Sequence, residues 1–279
     1  MHNHRLSIAV TIICWQLLSM TAMGTTNIGS NSSSSLSFNL IICLYNEPNK
    51  KRADEYRHCL QKNLRNAAIQ NIHVIYDTSK DPDKQSSLHE WLLSQKITLS
   101  YTEKRQSFGD CFRCANELFP EETVIISNAD IWFNKTLSLI KSNHLEGKFF
   151  AITRHDRKEN RLKRVQLSFS HDSWIFKTPF KTSGKLNHVP IGSWFCEKPV
   201  VDAAQKLAGL RVYNPALSIQ CIHEHQSGIR HYMKPAFGTE KGRVPITSLA
   251  KIRCLSADML DDVPLCTLDE ILKLDAELA

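Results

Sequence analysis

Residues 38–44 read FNLIICL, an apolar run with one polar member, Asn39. A run of this length without polar alternation is typical of a strand buried on both faces, as in parallel sheets. The polar loop Tyr45-Asn46-Glu47-Pro48 follows at once, and its asparagine and proline favour a turn. The stretch therefore predicts the first strand of an α/β domain, with a polar loop at its carboxyl end.

Strands and helices alternate downstream of this run. Helical spacing of apolar residues predicts helices over 52–69, 87–95 and 108–118, and short apolar runs predict strands over 72–76, 97–101 and 123–127. The order β-α-β-α-β-α-β is expected for a mostly parallel sheet with covering helices. We therefore predict an α/β fold of three layers, α/β/α.

The second half of the chain is less regular. Strands are expected over 149–153, 173–177 and 217–225, and a very basic loop over 157–164. A helix over 200–208 is predicted to end before Gly209, because glycine favours helix termination. A last helix over 267–278 begins with a capping box of Thr267 and Glu270.

Polar residues cluster where the first strands end. The clusters are Asn46-Glu47, 77–81 and 128–130. Ligands of open α/β sheets bind beyond the carboxyl ends of the strands. We therefore expect these three clusters to converge on one site, although each alone would pass for an ordinary turn.

The N-terminus predicts export. A short polar start is followed by an apolar stretch over 6–23 and by small residues near Gly24, which is typical of a secretory signal peptide, with an uncleaved membrane anchor as the alternative. Residues 25–37 form a serine-rich linker. The expected organisation is a signal or anchor at 1–24, this linker, and a folded domain over 38–279, placed in the secretory pathway or outside the cell.

Composition and missing motifs exclude several classes. The net charge of +7 in 279 residues suits a phosphate-bearing ligand, but no arginine-rich run with interleaved aromatics occurs, so nucleic acid is not an expected partner. The sequence contains no GxSxG, P-loop or HExxH motif. These absences weigh against an α/β-hydrolase, a P-loop NTPase and the commonest zinc peptidases.

The chain has nine cysteines, and only Cys111 and Cys114 form a CxxC pair. Without a second CxxC a structural zinc site is not expected. Export would permit disulfides, but the sequence does not indicate their pairing. The scatter of the cysteines is more typical of small buried side chains.

Several segments, in order, resemble GT-A glycosyltransferases of the family 2-like type. NADIWF (128–133) resembles the DxD region, with asparagine in the first acidic place, and IICLYNEP (41–48) resembles the first strand and loop. YDTSKD (76–81) is similar to the DDGSTD-type turn, HDSWIFK (171–177) to the acidic segment before the acceptor site, and CIHEHQSGIRHY (221–232) to the closing histidine segment. The matches span about Phe38 to Tyr232.

This resemblance implies a glycosyltransferase that moves a sugar from a nucleotide-diphosphate sugar to a hydroxyl acceptor, whether glycan, lipid or protein. It implies Asp172 as catalytic base of an inverting reaction. The donor would be bound by Asn46, Glu47, Asp77, Asn128, Asp130 and Arg230. Glu197, which follows Cys196 where some relatives have a Cys-Asp pair, is either a second acid or an ordinary helix-start acid.

A divalent metal, Mn²⁺ or Mg²⁺, is expected by the same resemblance. Asp130, His223 and His225 are the predicted ligands, because alternate residues of a strand share a face, which puts both imidazoles together and Glu224 opposite. A structural zinc site or a hydrogen-bonded histidine pair is the alternative. Asn128 is a poorer metal ligand than aspartate, so metal dependence is less certain than with a full DxD.

Two rival functions remain. A binding module that kept the fold and lost catalysis would explain Asn128. A nucleotidyltransferase would use a similar sheet but needs a glycine-rich basic loop after the first strand, and residues 45–48 contain no glycine.

Overall fold

A seven-stranded sheet forms the centre of the fold, as seen in a computed structural model of the chain. The structure describes residues 36–158, 161–164, 170–193, 196–229 and 265–278. In spatial order the strands are β10 (Arg211–Tyr213), β6 (Lys148–Thr153), β9 (His171–Lys177), β4 (Thr123–Ser127), β1 (Phe38–Tyr45), β2 (Ile69–Asp77) and β3 (Thr98–Thr102). β9 runs antiparallel to β4 and β6, and the other pairings in this sheet are parallel.

Helices cover both faces of β1. Leu40 and Ile42 pack in one apolar cluster with α1 (Lys50–Leu64) and α2 (Ser87–Leu93), whereas Ile41 packs in a second with α3 (Phe108–Leu118) and α4 (Glu197–Asp202). These three β1 side chains are almost fully buried, and burial of each stabilises the fold by about 1.5–3 kcal/mol. The predicted three-layer α/β/α arrangement with a mostly parallel sheet is confirmed.

Side-chain caps fix where the helices begin. Asn49 accepts a hydrogen bond from the Arg52 amide at the start of α1, and Ser107 forms a capping box with Asp110 at the start of α3. The predicted capping box of Thr267 and Glu270 opens α5 (Leu268–Leu278). Such caps satisfy amides that have no partner within the helix.

Two predicted helices have different bounds. The helix expected over 52–69 ends at Leu64, and Ile69 already begins β2, because a turn at 65–68 lets the chain reverse. The helix expected over 200–208 begins earlier, as α4, and continues as a short π-helix over Ala203–Leu207. Gly209 ends it at φ 68°, a conformation that favours glycine.

A second, four-stranded sheet lies beside the first. Its order is β5 (Ile131–Phe133), β11 (Cys221–His223), β7 (His155–Lys158) and β8 (Arg161–Arg164). The prediction of a basic loop over 157–164 is therefore wrong, because β7 and β8 pair there as an antiparallel hairpin. The strand expected over 217–225 is only three residues long. β11 pairs with both β5 and β7. This pairing brings His223 next to Asp130, the residue that precedes β5.

The polar clusters meet where the strand order reverses. The chain passes from β1 to β2 and β3 in one direction and then returns through α3 to β4, on the other side of β1. The carboxyl ends of β1 and β4 therefore flank a crevice, since the connections that leave them diverge. The structure opens its main cavity at this edge.

The expected signal or anchor segment, 1–24, and residues 25–35 of the linker lie outside the described residues. β1 begins at Phe38, where the folded domain was expected to start. Within the described ranges, no helix combines the length and the apolar character that crossing a bilayer requires.

Candidate functional site

One cavity of about 650 Å³ collects most of the predicted site residues. It lies beyond the carboxyl ends of β1, β2 and β4, and β9 and the segment from β11 onward complete its wall. The predicted residues that line it are Asn46, Asp77, Asn128, Asp130, Asp172, His223 and His225. The clusters that the sequence placed at successive strand ends therefore do converge.

Asp130, His223 and His225 form a cluster of potential metal ligands within this cavity. One ligand atom from each lies within 4.8 Å of the others. The Nε2 atom of His223 is 3.1 Å from Asp130 Oδ2, and Nδ1 of His225 is 3.8 Å from the same oxygen. The two imidazole rings are stacked, with centroids 5.3 Å apart, so the histidine segment presents both rings to Asp130.

Glu224 lies on the other side of the segment, as alternation predicts. Its carboxylate accepts hydrogen bonds from Trp132 Nε1 at 3.1 Å and from Arg157 Nη1 at 2.9 Å. These bonds keep Glu224 away from the cavity and tie the segment to β5 and β7. In the His-Glu-His sequence, the two histidines therefore face the cavity, and Glu224 faces away from it and fixes the segment to its neighbours.

Charged neighbours hold the cluster in place. Arg52 from α1 donates to Asp130 Oδ2, and Asp156 Oδ1 bonds Nδ1 of His223 at 2.9 Å. Burial alone would raise the pKa of Asp130, but His223, His225 and Arg52 lower it well below its usual range. Burial alone would lower the pKa of His223, but Asp130 and Asp156 raise it to about 9. Asp130 is thus a carboxylate at neutral pH.

The donor set fits a divalent cation. The three potential ligand atoms lie within 4.8 Å of one another, and Nδ1 is the His225 nitrogen that faces Asp130. One carboxylate and two imidazoles suit Mn²⁺ or a softer first-row cation better than Mg²⁺, which prefers oxygen ligands. Metal binding has to displace the proton of His223, because only the neutral nitrogen can coordinate.

Asp172, the predicted base, is buried beside the cavity and already bonded at both oxygens. Oδ1 accepts from Asn128 Nδ2 at 3.0 Å, and Oδ2 accepts from Arg154 Nη1 at 3.1 Å. These two contacts fix the orientation of the Asp172 carboxylate. The same contacts orient Asn128, whose Oδ1 is buried and makes no hydrogen bond among the described residues.

Asp77 and Asn46 border the side of the cavity formed by β1 and β2. Asp77 Oδ1 accepts from the Ser79 amide at 2.9 Å and so shapes the turn after β2. Asn46 donates weakly to the Lys80 carbonyl, at 3.4 Å. Asp77 therefore makes the expected turn and still faces the cavity, whose wall includes Lys80.

Of the predicted donor-binding residues that the structure describes, Glu47 is the one that does not line the cavity. Glu47 is buried, and its carboxylate accepts from the Tyr45 hydroxyl at 2.7 Å and from the Asn49 amide at 2.9 Å. It stabilises the loop between β1 and α1 and is not part of the cavity wall. Arg230 lies outside the described residues, so its predicted contact with the donor stays a prediction.

Glu197, which the sequence offers as either a second acid or a helix-start acid, has an unusual environment. It begins α4, half-buried, close enough to Asp172 and Arg154 for their charges to act on it. Loss of surrounding water, with the nearby Asp172 charge, raises the pKa of Glu197 to about 8. A carboxyl group with this pKa exchanges protons near neutral pH, which a general base requires.

The functional residue that sequence analysis missed is Arg52. It lies on the same helical stripe as Tyr56 and Asn63, which are buried, and its guanidinium bonds both Asp130 and Glu55. A charged residue on the apolar stripe of a helix is the signal that would have found it, because arginine is rarely buried without a partner.

No family model matches the chain, and no curated protein does. Similar solved structures include a candidate nucleotide-diphospho-sugar transferase from Desulfovibrio desulfuricans G20, at 16% identity and a TM-score of 0.43, over 63% of this chain and 79% of that one. A mannosyltransferase from Pyrobaculum calidifontis, in complex with GDP-Man and Mn²⁺, follows at 14% identity and a TM-score of 0.44, over 68% and 57%. GalNAc-T7 with UDP, GalNAc and Mn²⁺ is similar at 11% identity and a TM-score of 0.47, over 67% of this chain and 44% of that one.

The chain spans about half the length of the mannosyltransferase and of GalNAc-T7.

Proposed function

We propose that the chain is a glycosyltransferase that moves a sugar from a nucleoside-diphosphate sugar onto a hydroxyl acceptor. The observation that carries the proposal is the convergence of Asp77, Asp130 and the two histidines on one cavity at the point where the strand order reverses. A nucleoside diphosphate needs polar partners for its base and ribose and a cation for its phosphates. The cavity offers polar partners for the base and the ribose, and a group of potential ligands for the cation.

Asp130, His223 and His225 would hold a divalent cation, for which Mn²⁺ is the best candidate. A bound cation of this kind supplies positive charge to the departing diphosphate. Arg52 and Asp156 keep Asp130 and His223 in position, because each bonds a ligand from outside the cluster. Such supporting contacts orient ligands and tune their affinity.

Asp77, Asn46 and Asn128 would bind the nucleoside. Asp77 can accept from a nucleobase N–H, as carboxylates do. Asn128 has an unbonded, buried Oδ1 in the cavity wall, which suits a ribose hydroxyl as donor. The asparagine thus fits the donor site although it is a weak metal ligand.

Two acids compete for the acceptor proton in an inverting reaction. Asp172 lines the cavity but is held by Arg154 and Asn128, whereas Glu197 has a pKa of about 8. We propose that Asp172 takes the proton, because it lines the cavity, whereas Glu197 is not part of the cavity wall. Glu197→Gln should then leave transfer intact, while Asp172→Asn abolishes it.

A panel of nucleotide sugars, assayed for nucleotide release and for transfer with and without Mn²⁺, tests the proposed function. We expect one donor to be turned over in a Mn²⁺-dependent way, and His225→Ala to lose that turnover. His188→Ala is the matched control, because His188 is exposed and lies outside the cavity wall. Thermal stabilisation by a nucleoside diphosphate and Mn²⁺ without turnover of any donor would favour the binding module instead.

Export remains part of the proposal. The apolar stretch over 6–23 would direct the chain to the secretory pathway, where glycan, lipid and protein acceptors are available. N-terminal sequencing of the mature protein separates a cleaved signal from an anchor: a new N-terminus near residue 25 indicates cleavage.

A further inference from the structure

Two cysteines outside the proposed chemistry lie side by side at the edge of the cavity. Cys43 is in β1 and Cys111 in α3, and their Sγ atoms are 3.5 Å apart. Cys43 is half-buried and lines the cavity, whereas Cys111 is fully buried. These residues are 68 positions apart in the sequence, so only the packing of α3 on β1 brings them together.

The geometry is close to that of a disulfide. A bond needs the sulfur atoms at about 2.05 Å, so the pair must close by about 1.5 Å, which rotation about the side-chain bonds can supply. Cys114 lies one helical turn beyond Cys111, and it is the Sγ atom of Cys111 that contacts Cys43. Cys59, Cys196 and Cys221 are buried singly within the described part of the chain.

We infer that Cys43 and Cys111 form an oxidisable pair, with a small-molecule disulfide such as glutathione disulfide as the co-reactant. Cys43 is the sulfur that the co-reactant can reach, because it lies in the wall of a cavity of about 650 Å³. Cys111 is enclosed and resolves the intermediate. The pair is a modification site that depends on the fold alone and does not require the proposed transferase activity.

The reaction balances in two exchange steps. The Cys43 thiolate attacks one sulfur of glutathione disulfide, forms a Cys43–glutathione mixed disulfide and releases one glutathione thiolate. Cys111 then loses its proton to solvent and attacks the Cys43 sulfur, which forms the protein disulfide and releases the second glutathione. The two cysteines are oxidised by two electrons, and one glutathione disulfide is reduced to two thiols.

The environment of Cys111 sets the order of these steps. The Cys43 contact and burial raise the pKa of the Cys111 thiol well above its usual range, so Cys111 is a poor first nucleophile. The product would tie the carboxyl-terminal half of β1 to the N-terminal half of α3, beside the cavity that Cys43 lines.

Peptide mapping of the full chain after treatment with glutathione disulfide tests the inference. Free thiols are alkylated, and the protein is digested with trypsin and chymotrypsin. Trypsin separates Cys111 from Cys114 because Arg113 lies between them, and chymotrypsin separates Cys43 from Cys14 by cleavage at Phe38. We expect the Cys43–Cys111 bridge to exceed any other pair by at least about tenfold, because the fold holds these thiols in contact.

Three comparisons make the result decisive. In urea the preference for the Cys43–Cys111 bridge should disappear. Cys111→Ser should leave Cys43 as the glutathione mixed disulfide, and Cys114→Ser, the matched control on the next turn of α3, should leave the bridge unchanged. A dominant bridge to another cysteine, or a Cys43 adduct that persists in the wild type while Cys111 stays alkylatable, would overturn the inference. So would native thiols that resist glutathione disulfide under conditions that oxidise the denatured chain.

Discussion

Asp130 is the carboxylate on which one guanidinium and two imidazole side chains converge. Arg52, His223 and His225 all approach the same oxygen, Oδ2. Removal of Asp130 would leave the buried Arg52 without this partner, which in general costs about 3–5 kcal/mol. A variant at Asp130 therefore tests stability and ligand binding at once, and His225 is the better place to test the metal alone.

We expect His225→Ala to weaken Mn²⁺ binding by at least about tenfold, since even supporting contacts of a metal site cost 10–100-fold when removed. The Arg52–Asp130 and His223–Asp130 contacts remain in this variant. Isothermal titration with Mn²⁺ measures the effect, and His188→Ala serves as the control. Unchanged Mn²⁺ affinity with a lower Tm would indicate a structural histidine pair instead.

Glu197 makes a prediction about pH. Its pKa of about 8 in the folded chain lies above the value of about 4.3 for a free glutamate, so the folded state binds more protons than the unfolded state between these two values. Stability should therefore fall as pH rises through this range. Glu197→Gln removes the titration.

Thermal unfolding at pH 5.5 and 8.5 measures this effect. The Tm of Glu197→Gln relative to the wild type should be higher at pH 8.5 than at pH 5.5, by at least about 2–4 °C, the shift that 1 kcal/mol produces in a chain of this size. Glu117→Gln, an exposed acid of α3, should show the same Tm difference at both pH values. A pH-independent difference at Glu197 would contradict the raised pKa.

At the scale of elements, the first turn of α3 packs unusually close to the 3₁₀ turn Gly184–His188. A Cβ atom added at Gly109 would lie 2.1 Å from Asn187 Oδ1 and 2.9 Å from the Asn187 backbone nitrogen. The chain after this turn reaches Ile191 and Gly192 in the cavity wall. The contact therefore couples the position of α3 to the shape of the site.

We expect Gly109→Ala to lower stability by about 1–3 kcal/mol, the usual cost of overpacking, measured by urea unfolding. Gly184→Ala is the matched control, because a Cβ there meets nothing within 4 Å. Its stability should be unchanged or slightly raised, since alanine restricts the unfolded chain. Equal stability of both variants would contradict the close packing.

At the scale of the whole molecule, ligand binding should be coupled to folding. The cavity draws on β1, β2, β4, β9 and the histidine segment, which are close together only in the folded chain. A ligand that binds this cavity must therefore stabilise the native state against the unfolded one.

We expect Mn²⁺ together with UDP or GDP, at about 100 times the Kd, to stabilise the fold by about 2.7 kcal/mol, which corresponds to a rise in Tm of about 5–10 °C. Mg²⁺ should have a smaller effect, because two of the three ligands are imidazoles. His225→Ala should lose most of the Mn²⁺-dependent part. An equal response to Mg²⁺ and Mn²⁺ would argue against coordination by the histidines.

The sequence predicts the bounds of an element well where neighbouring residues set those bounds. The bounds of α3 and β4 agree residue for residue with the expected 108–118 and 123–127, because the capping box and the apolar run are local signals. The sequence predicts a loop over the basic stretch 157–164, because its many charges obscure the alternation of polar and apolar residues that is typical of a strand. It forms the hairpin of β7 and β8 because β11 pairs with β7, a contact between distant segments.

The sequence by itself determined the α/β order, the polar strand ends and the identity of the Asp130, His223 and His225 cluster, because strand burial, alternation and turn chemistry depend on neighbouring residues. Only the tertiary structure decided that Arg52 bonds Asp130, that Arg154 and Asn128 hold Asp172, and that Glu47 turns away from the cavity. It also decided that Cys43 touches Cys111. The Arg52–Asp130, Asn128–Asp172 and Cys43–Cys111 contacts join residues 44 to 78 positions apart in the sequence, and no local pattern encodes such contacts.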